Sequence, residues 1–328
     1  MTDPQHEEGQ TLGPLWRQGL RAIIGPTASG KSELALRVAE QAGAEIVSLD
    51  SMLVYRGMDV GTAKPDAVMR GRVRHHMIDL VEPDVRYDVQ RFLRDLGPVL
   101  AEIDARGARP LFVGGTAFYL KVLTHGLFQG PEVDLDLRAD VERRVDELGP
   151  DAAHAWLERV DPLSAERLHA NDRRRVVRAL EVQEQTGRAL SDWQREWRSP
   201  SGVPSAGAAR RLVGVGHGVP DLDQRIHERT RRMLAGGWVE EALGIRARTG
   251  FGSTAIQALG YAQVLRLADG DLDEDACIDE IALRTRQFAR KQRTWYRKFD
   301  EIAWLEGRVE SDLERLTVEA LHALDWER

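Results

Sequence analysis

The sequence predicts an α/β fold, a doubly wound parallel sheet interrupted by a helical insertion, on three observations. A short apolar run, Leu20 to Ile24, leads into Gly25-Pro26-Thr27-Ala28-Ser29-Gly30-Lys31-Ser32 and then into a helical pattern. That is the strand-loop-helix order in which a G-x-x-x-x-G-K-[ST] loop cradles phosphate. Further short apolar runs alternate with helical patterns, as crossovers between parallel strands require. After Gly130-Pro131 the chain turns charged and helical, and an apolar run at Leu212 to Val215 then returns it to the sheet.

Taken in order, residues 1–18 are polar with scattered Gly and Pro and read as a loose extension. The α/β core is expected over 19–130 and 208–328. Leu20 to Ile24 is the first strand, and Leu34, Ala35, Leu36, Val38 and Ala39 follow at helical spacing after the loop. Ala44 to Leu49, Met77 to Leu80 and Pro110 to Val113 have the apolar character of strands buried on both faces. Between the last two, Val89, Phe92, Leu93, Leu96, Val99, Leu100 and Ile103 repeat with helical period, and Gly97-Pro98 predicts a kink. A helix is expected over Ala117 to Leu123. The insertion, 131–207, reads as helices from Leu137 to Trp197 with turns at Gly149-Pro150, Asp161-Pro162 and Asn171-Asp172. It closes on a flexible linker, Ser199 to Gly207. Beyond Leu212 to Val215 the chain is mostly helical to Leu324, without an internal repeat.

The 328 residues are 42% hydrophobic and 30% charged, material for roughly two globular domains. No run approaches the ~20 apolar residues of a membrane span and no secretory leader is evident, so a cytoplasmic protein is expected. Cys277 is the single cysteine, which excludes an internal disulfide and leaves a cysteine zinc site unsupported; the nine histidines show no metal-ligand spacing. Net charge is −7, yet Arg284 to Lys298 holds seven basic residues and no acidic one. Arg173, Arg174, Arg175 and Arg178 form a second basic cluster. Such clusters suit a phosphate backbone, or are solvated helix faces.

In the loop, backbone N–H groups and the following helix N-terminus would bind a diphosphate or triphosphate, with Lys31 as a compact charge on its oxygens. Asp50 ends the second strand, at the carboxyl edge where an open α/β sheet takes its ligand. There it could hold magnesium through water, act as a general base, or serve as a turn residue. Thr116, after Gly114-Gly115, could cap a helix or hydrogen-bond a phosphate or a nucleophile. Arg225 and Arg229 are four apart on one helix face, suited to a diphosphate or simply exposed. Arg286, Arg290, Arg293 and Arg297 form one stripe on a segment that also carries Phe288, Trp295, Tyr296 and Phe299. These aromatics read as core anchors in preference to base-stacking platforms.

These blocks together resemble the bacterial tRNA dimethylallyltransferases, also called tRNA isopentenyltransferases. The resemblance rests on G-P-T-A-S-G-K-S (25–32), S-L-D-S (48–51), Y-R-G-M-D-V-G-T-A-K-P (55–65) and V-G-G-T (113–116). It continues through H-A-N-D and R-V-V-R-A-L-E-V (within 169–182), D-Q-R-I-H-E-R (223–229), L-G-Y (259–261) and R-K-Q-R-T-W (290–295), in order over almost the whole chain. It implies a P-loop NTPase-like fold whose loop holds the diphosphate of an isoprenoid donor in place of a nucleoside triphosphate, with Mg2+ as cofactor. The implied reaction moves a dimethylallyl group from dimethylallyl diphosphate to N6 of adenine 37 in tRNAs reading codons that begin with U, releasing diphosphate.

On that resemblance Gly25, Pro26, Thr27, Ala28, Ser29, Gly30, Lys31 and Ser32, with Arg225 and Arg229, bind the diphosphate, and Ser32 and Asp50 hold the magnesium, the latter through water. Asp50 is the base on N6, Thr116 lies near the reacting centre, and Lys31 and Arg225 neutralise the leaving group. The implied RNA contacts are Asp50, Ser51, Met52, Leu53, Thr116, Arg138, Asn171, Asp172, Arg173, Arg174, Arg175, Gln257, Gly260, Tyr261, Arg290, Lys291, Arg293, Trp295 and Arg297. The partner is a tRNA anticodon stem-loop, with no membrane and no obligate protein partner, and a monomer is favoured. Two positions depart from the family pattern: Ala262 stands where a basic residue is common, and Gly97-Pro98 interrupts a helix that usually runs through. The phosphate loop and α/β core alone would favour a small-molecule or nucleotide kinase, which has no use for the two basic clusters; a third reading, an NTP-switched binding protein, predicts nucleotide-dependent affinity for a partner and no prenylated product.

Overall fold

The computed structural model describes residues 19–126, 130–131, 133–196, 210–216 and 222–326. The expected extension at 1–18 and the linker at Ser199 to Gly207 lie outside them. Two compact units emerge, one drawn from Met1–Leu120 and Ala206–Arg328, the other from Lys121–Ser205.

The first unit is built on six parallel strands: β1 (Leu20–Ile24), β2 (Ala44–Ser48), β3 (His75–His76), β4 (Arg109–Gly114), β5 (Arg210–Gly214) and β6 (Ile302–Trp304). Their order is β3-β2-β4-β1-β5-β6, so β1 lies inside the sheet with β4 and β5 as neighbours. Ile24 is in register with Gly114 and with Gly214, and Ser48 with Val113. The segments that leave β1, β2 and β4 therefore emerge side by side at the carboxyl edge, where open α/β sheets bind ligands.

Helix α1 (Lys31–Ala42) starts and stops on left-handed glycines, Gly30 (φ 85) and Gly43 (φ 63), a conformation that costs glycine nothing. It buries Leu34, Leu36 and Val38 in a core shared with Ile23, Ile46, Leu111 and Val213 of the sheet and with Leu316, Ala320 and Leu324 near the C-terminus. Truncating one such leucine to alanine costs roughly 2–5 kcal/mol. Next come α2 (Ala67–Arg72), capped by the Asp66 carboxylate on the Met69 amide at 2.8 Å, and α3 (Val89–Ala105), capped by Asp88. The chain then passes through β4 into α4 (Ala117–His125).

The second unit takes α5 (Leu135–Val160), α6 (Pro162–Arg167), α7 (Arg173–Thr186) and α8 (Leu190–Glu196). Its own core joins Val141, Val145, Leu157, Val176, Leu180 and Leu190. The expected turn at Gly149-Pro150 is a break within α5, where Gly149 has φ 75 and ψ 167. At Asp161-Pro162 the buried Asp161 carboxylate accepts Ser164 Oγ at 2.6 Å and the Ser191 amide at 3.0 Å, fastening α6 to α8. After β5, the first unit resumes with α9 (Leu222–Ala235), α10 (Trp238–Arg248), α11 (Tyr261–Ala268), α12 (Glu274–Tyr296) and α13 (Val309–Ala323).

Three expectations are corrected. The third strand is His75–His76, paired with Ile46 and Val47, not Met77 to Leu80. Met77 (φ 61) and Asp79 (φ 55) are left-handed, which ends extended structure, and Lys64 Nζ and Arg70 Nη1 hold the Asp79 carboxylate at 2.7 Å each. Secondly, α3 continues through Gly97-Pro98 as one helix. Pro98 is exposed, and the Arg94 carbonyl deprived of its partner belongs to an exposed residue, so water can satisfy it. Thirdly, the C-terminal part is mostly helical as expected but adds one strand to the sheet: β6, a three-residue edge strand beside β5.

Candidate active site

Glycines at two strand ends let backbones approach where side chains could not. A Cβ on Gly25, which follows β1, would lie 2.5 Å from the Val215 carbonyl oxygen, and one on Gly114 would overlap the Leu49 backbone. In the loop itself Ala28 (φ 60) and Gly30 (φ 85) are left-handed, the alternation that makes successive amides converge into an anion nest. Ser29 Oγ is buried with no hydrogen-bond partner among the described residues. Lys31 Nζ reaches back to the Pro26 carbonyl at 3.4 Å. Burial pushes its ammonium down to about 8; the Asp50 carboxylate opposes that shift and Arg229 adds to it. Ser32, the next residue, is exposed on the first turn of α1.

Asp50 leaves β2 in a turn of its own making. Its amide donates to Ser48 Oγ at 3.2 Å, and its Oδ1 accepts the Met52 amide at 2.9 Å. One carboxylate oxygen thus fixes the side chain while Oδ2 keeps its lone pairs. Thr116, leaving β4, donates its amide to the Leu49 carbonyl at 3.1 Å and accepts the Ser51 amide on Oγ1 at 3.2 Å. The Thr116 carbonyl receives the first amides of α4, so its backbone starts the helix while its hydroxyl belongs to the Asp50 turn. Arg229 on α9 has its guanidinium pKa lowered by burial, against the pull of the Asp50 carboxylate. Arg225, one turn earlier, is half-buried on the same helix. Lys31, Asp50 and Arg229 therefore act on one another electrostatically. Tyr119 and Tyr296 join them: burial raises both phenols, and the Asp50 charge raises them further.

Sequence reasoning missed Gln292. This buried residue of α12 accepts the Thr27 amide of the phosphate loop on Oε1 at 2.9 Å and donates through Nε2 to the Gly115 carbonyl at 2.8 Å. Its signal was present: Ala289, Gln292 and Tyr296 are the buried face of α12, and a polar side chain in that row needs a buried partner.

The other face of α12 carries the basic stripe. Arg290, Lys291 and Arg297 are exposed and Arg293 half-buried, and none of the four has an acidic partner among the described residues. Arg286 pairs with Asp223 at 3.3 Å, and Lys298 lies over the Trp295 ring at 5.0 Å. Tyr296 and Phe299 are core residues, as the sequence suggests, whereas Phe288 is exposed and Trp295 half-buried.

The insertion's basic cluster is different, because carboxylates neutralise most of it. Arg173 chelates Asp146 at 2.6 and 2.7 Å, Arg175 meets Asp172 at 3.0 Å, and Arg138 meets Glu142 at 3.1 Å. Arg178 binds Glu181 at 2.8 Å. Arg174 and Asn171 are exposed.

The G-M-D-V-G-T-A-K-P block is an anchored loop. Glu241 accepts the amides of Asp59, Val60 and Gly61 at 2.8, 2.7 and 3.1 Å and the Tyr261 hydroxyl at 2.6 Å. Lys64 ties Tyr55, Asp59 and Asp79 together. Tyr261 is expected at the RNA, but its side chain is fully buried and engaged with Glu241. Gly260 (φ 95) is likewise buried, closed over by Trp238, while Gln257 is exposed.

The IPP transferase family matches residues 53–299, and an isopentenyl transferase family matches 18–80. A tRNA dimethylallyltransferase of Geobacter sulfurreducens is 44% identical over 286 residues, covering 87% of this chain and 90% of the relative. That of Methylococcus capsulatus is also 44% identical, over 87% and 91%. Among solved structures, the full-length tRNA isopentenylpyrophosphate transferase of Bacillus halodurans superposes with TM-score 0.64 at 31% identity, covering 94% of this chain and 97% of that one. A eukaryotic dimethylallyltransferase acting on tRNA gives TM-score 0.75 at 24% identity over 92% and 77%, a likeness of fold. The phosphate loop and Asp50 lie within the 18–80 match, and Thr116 and the basic face of α12 within the 53–299 match; the chain belongs to the IPP transferase family.

Proposed function

We propose that the protein transfers a dimethylallyl group from dimethylallyl diphosphate to N6 of adenine 37 in tRNAs reading codons that begin with U, releasing diphosphate. The observation that carries this reading is the placement, in one unit, of a phosphate loop and an Asp50 carboxylate with one oxygen not hydrogen-bonded among the described residues, together with a helix face on which Arg290, Lys291, Arg293 and Arg297 have no acidic partner among them. A small-molecule kinase would use the loop and have no role for the helix.

The adenine N6 lone pair is delocalised into the ring, so the amine is a weak nucleophile and needs both placement and proton removal. Asp50 Oδ2 takes that proton while Oδ1 stays on the Met52 amide, so the base does not swing away as it accepts it. Thr116 holds the turn by accepting the Ser51 amide on its hydroxyl oxygen. Charge grows on the departing diphosphate, where the loop amides, Lys31, Arg225 and Arg229 stabilise it. Bringing the base out of its stack costs only about a few kcal/mol when it lies in a single-stranded loop. Arg290, Lys291, Arg293 and Arg297 offer a lane for the RNA backbone, and the insertion adds Arg174 and Asn171.

A Mg2+ ion is part of the proposal: Mg2+ usually takes one or two protein oxygens plus water and substrate phosphate. Ser32 and Asp50 would hold it, Asp50 through water, and its charge would neutralise the diphosphate. No helix among the described residues is long and apolar enough to cross a membrane.

The test is to incubate the protein with labelled dimethylallyl diphosphate, Mg2+ and an anticodon stem-loop carrying three consecutive adenines centred on position 37. Label in the RNA, undiminished by excess ATP, is expected. ATP turnover without prenylated RNA would return the protein to the kinases.

A further inference from the structure

We infer that Gln292 is a positioning residue for the diphosphate donor, one that holds the phosphate loop in its binding shape from the helix bearing the basic stripe. The inference rests on the proposed prenyl transfer only for the identity of the donor, because the loop's affinity for inorganic pyrophosphate reads the same property.

The two hydrogen bonds of Gln292 span 265 and 177 positions of chain. One ends on the Thr27 amide, within the loop, and the other on the Gly115 carbonyl, at the turn that leads to Thr116. Gly115 fits this arrangement by having no side chain: a Cβ there would lie 2.5 Å from Gln292 Nε2. The amide group thus satisfies a donor on one side and an acceptor on the other, using two separate atoms of one planar group. One turn further along, Tyr296 is buried, with its phenol influenced by Asp50 and by the Gly25 backbone. Gln292 and Tyr296 are four apart, hence on one face of α12. The loop therefore rests on the inner face of the helix whose outer face carries Arg290, Arg293 and Arg297.

The consequence is specific. By taking the Thr27 N–H for itself, Gln292 removes one loop amide from the pool that could bind phosphate and fixes the direction of the others. Without it, Thr27 must find another acceptor and the neighbouring amides lose their common aim, so the loop incurs an ordering cost when the donor arrives. Gln292 touches neither reacting atom, so loss of it should act on donor binding more than on the chemical step.

The experiment compares Gln292→Leu and the length-matched Gln292→Met with wild type, measuring KM for dimethylallyl diphosphate and for the stem-loop, kcat, and pyrophosphate affinity by calorimetry. The expected result is a rise of about ten-fold or more in donor KM and in the pyrophosphate Kd, with kcat and RNA KM within about two-fold. Gln292→Glu, which can accept from Thr27 but cannot donate to Gly115, should also weaken donor binding. Equal losses in donor and RNA parameters, or a fall in kcat alone, would overturn the inference, as would unchanged pyrophosphate affinity in a folded variant. Should Gln292→Leu not fold, Gln292→Met carries the same comparison. If wild type transfers no prenyl group yet binds pyrophosphate in a Gln292-dependent way, the proposed function fails and the positioning role stands.

Discussion

The Asp50 carboxylate is tied to the Met52 amide through Oδ1 at 2.9 Å, and this bond separates its two oxygens into a structural one and a chemical one. Asp50→Asn keeps an oxygen for Met52 and loses only the proton acceptor. Turnover should fall by roughly 10²-fold or more, with donor and RNA affinities within a few-fold of wild type. Asp50→Ala loses the turn as well and should raise the RNA KM in addition. Steady-state kinetics with both substrates varied would separate the two; equal effects of Asn and Ala on RNA KM would deny the turn any part in RNA binding.

Lys31 gives donor binding a pH dependence. Its folded pKa is lowered to about 8 by burial, so in the free protein the ammonium is lost as pH rises past that value. Affinity for the diphosphate should therefore decline above about pH 8. Stability has the opposite sign: between about 8 and the unfolded value the unfolded chain binds the extra proton, so the burial cost of the charge is relieved and stability rises with pH. Arg229 adds to the lowering and Asp50 opposes it, so Arg229→Gln should move the midpoint up and Asp50→Asn should move it down. Calorimetric titrations of pyrophosphate from neutral to about two pH units above the Lys31 midpoint test all three directions.

The two basic clusters should differ in salt response. Arg290 and Arg293 have no carboxylate partner among the described residues, whereas Arg173 is chelated by Asp146. Replacing Arg290 or Arg293 by Gln should reduce the slope of log K against log salt by about 0.7 for each phosphate no longer neutralised. Arg173→Gln should change it less, because its charge is already balanced. Stem-loop binding at several salt concentrations gives the slopes directly.

Glu241 holds three loop amides and the Tyr261 hydroxyl. Its removal strands these donors, so Glu241→Ala should cost roughly 3 kcal/mol or more of unfolding free energy. A denaturant melt of that variant within about 1 kcal/mol of wild type would show that the loop does not depend on it.

What can be read from the sequence follows the range over which each signal acts. The phosphate loop, Asp50 and Thr116 are written in contiguous strand-turn segments, and the parallel register then brings them together. Position alone leaves Asp50 between turn and catalysis; in the structure one oxygen serves the turn and leaves the other free. The place of β3 is hard to read because Met77 and Ile78 look like strand, while Lys64 and Arg70 bend the chain at Asp79 from a distance in sequence. Gly97-Pro98 reads as an interruption until it is known that Pro98 lies on the exposed face of α3. The pairing of Arg173 and the burial of Tyr261 depend on partners in other elements, which composition does not reveal. Gln292 is hidden in a basic run because its partners lie far away along the chain.

Nucleoside analysis of the stem-loop after reaction, comparing wild type with Asp50→Asn, bears most directly on the proposal that this site prenylates RNA with Asp50 as its base. Wild type should form an adenosine prenylated at N6 of position 37, and the variant should leave it nearly absent. Modification at another nucleotide, or equal product from the variant, would contradict that reading.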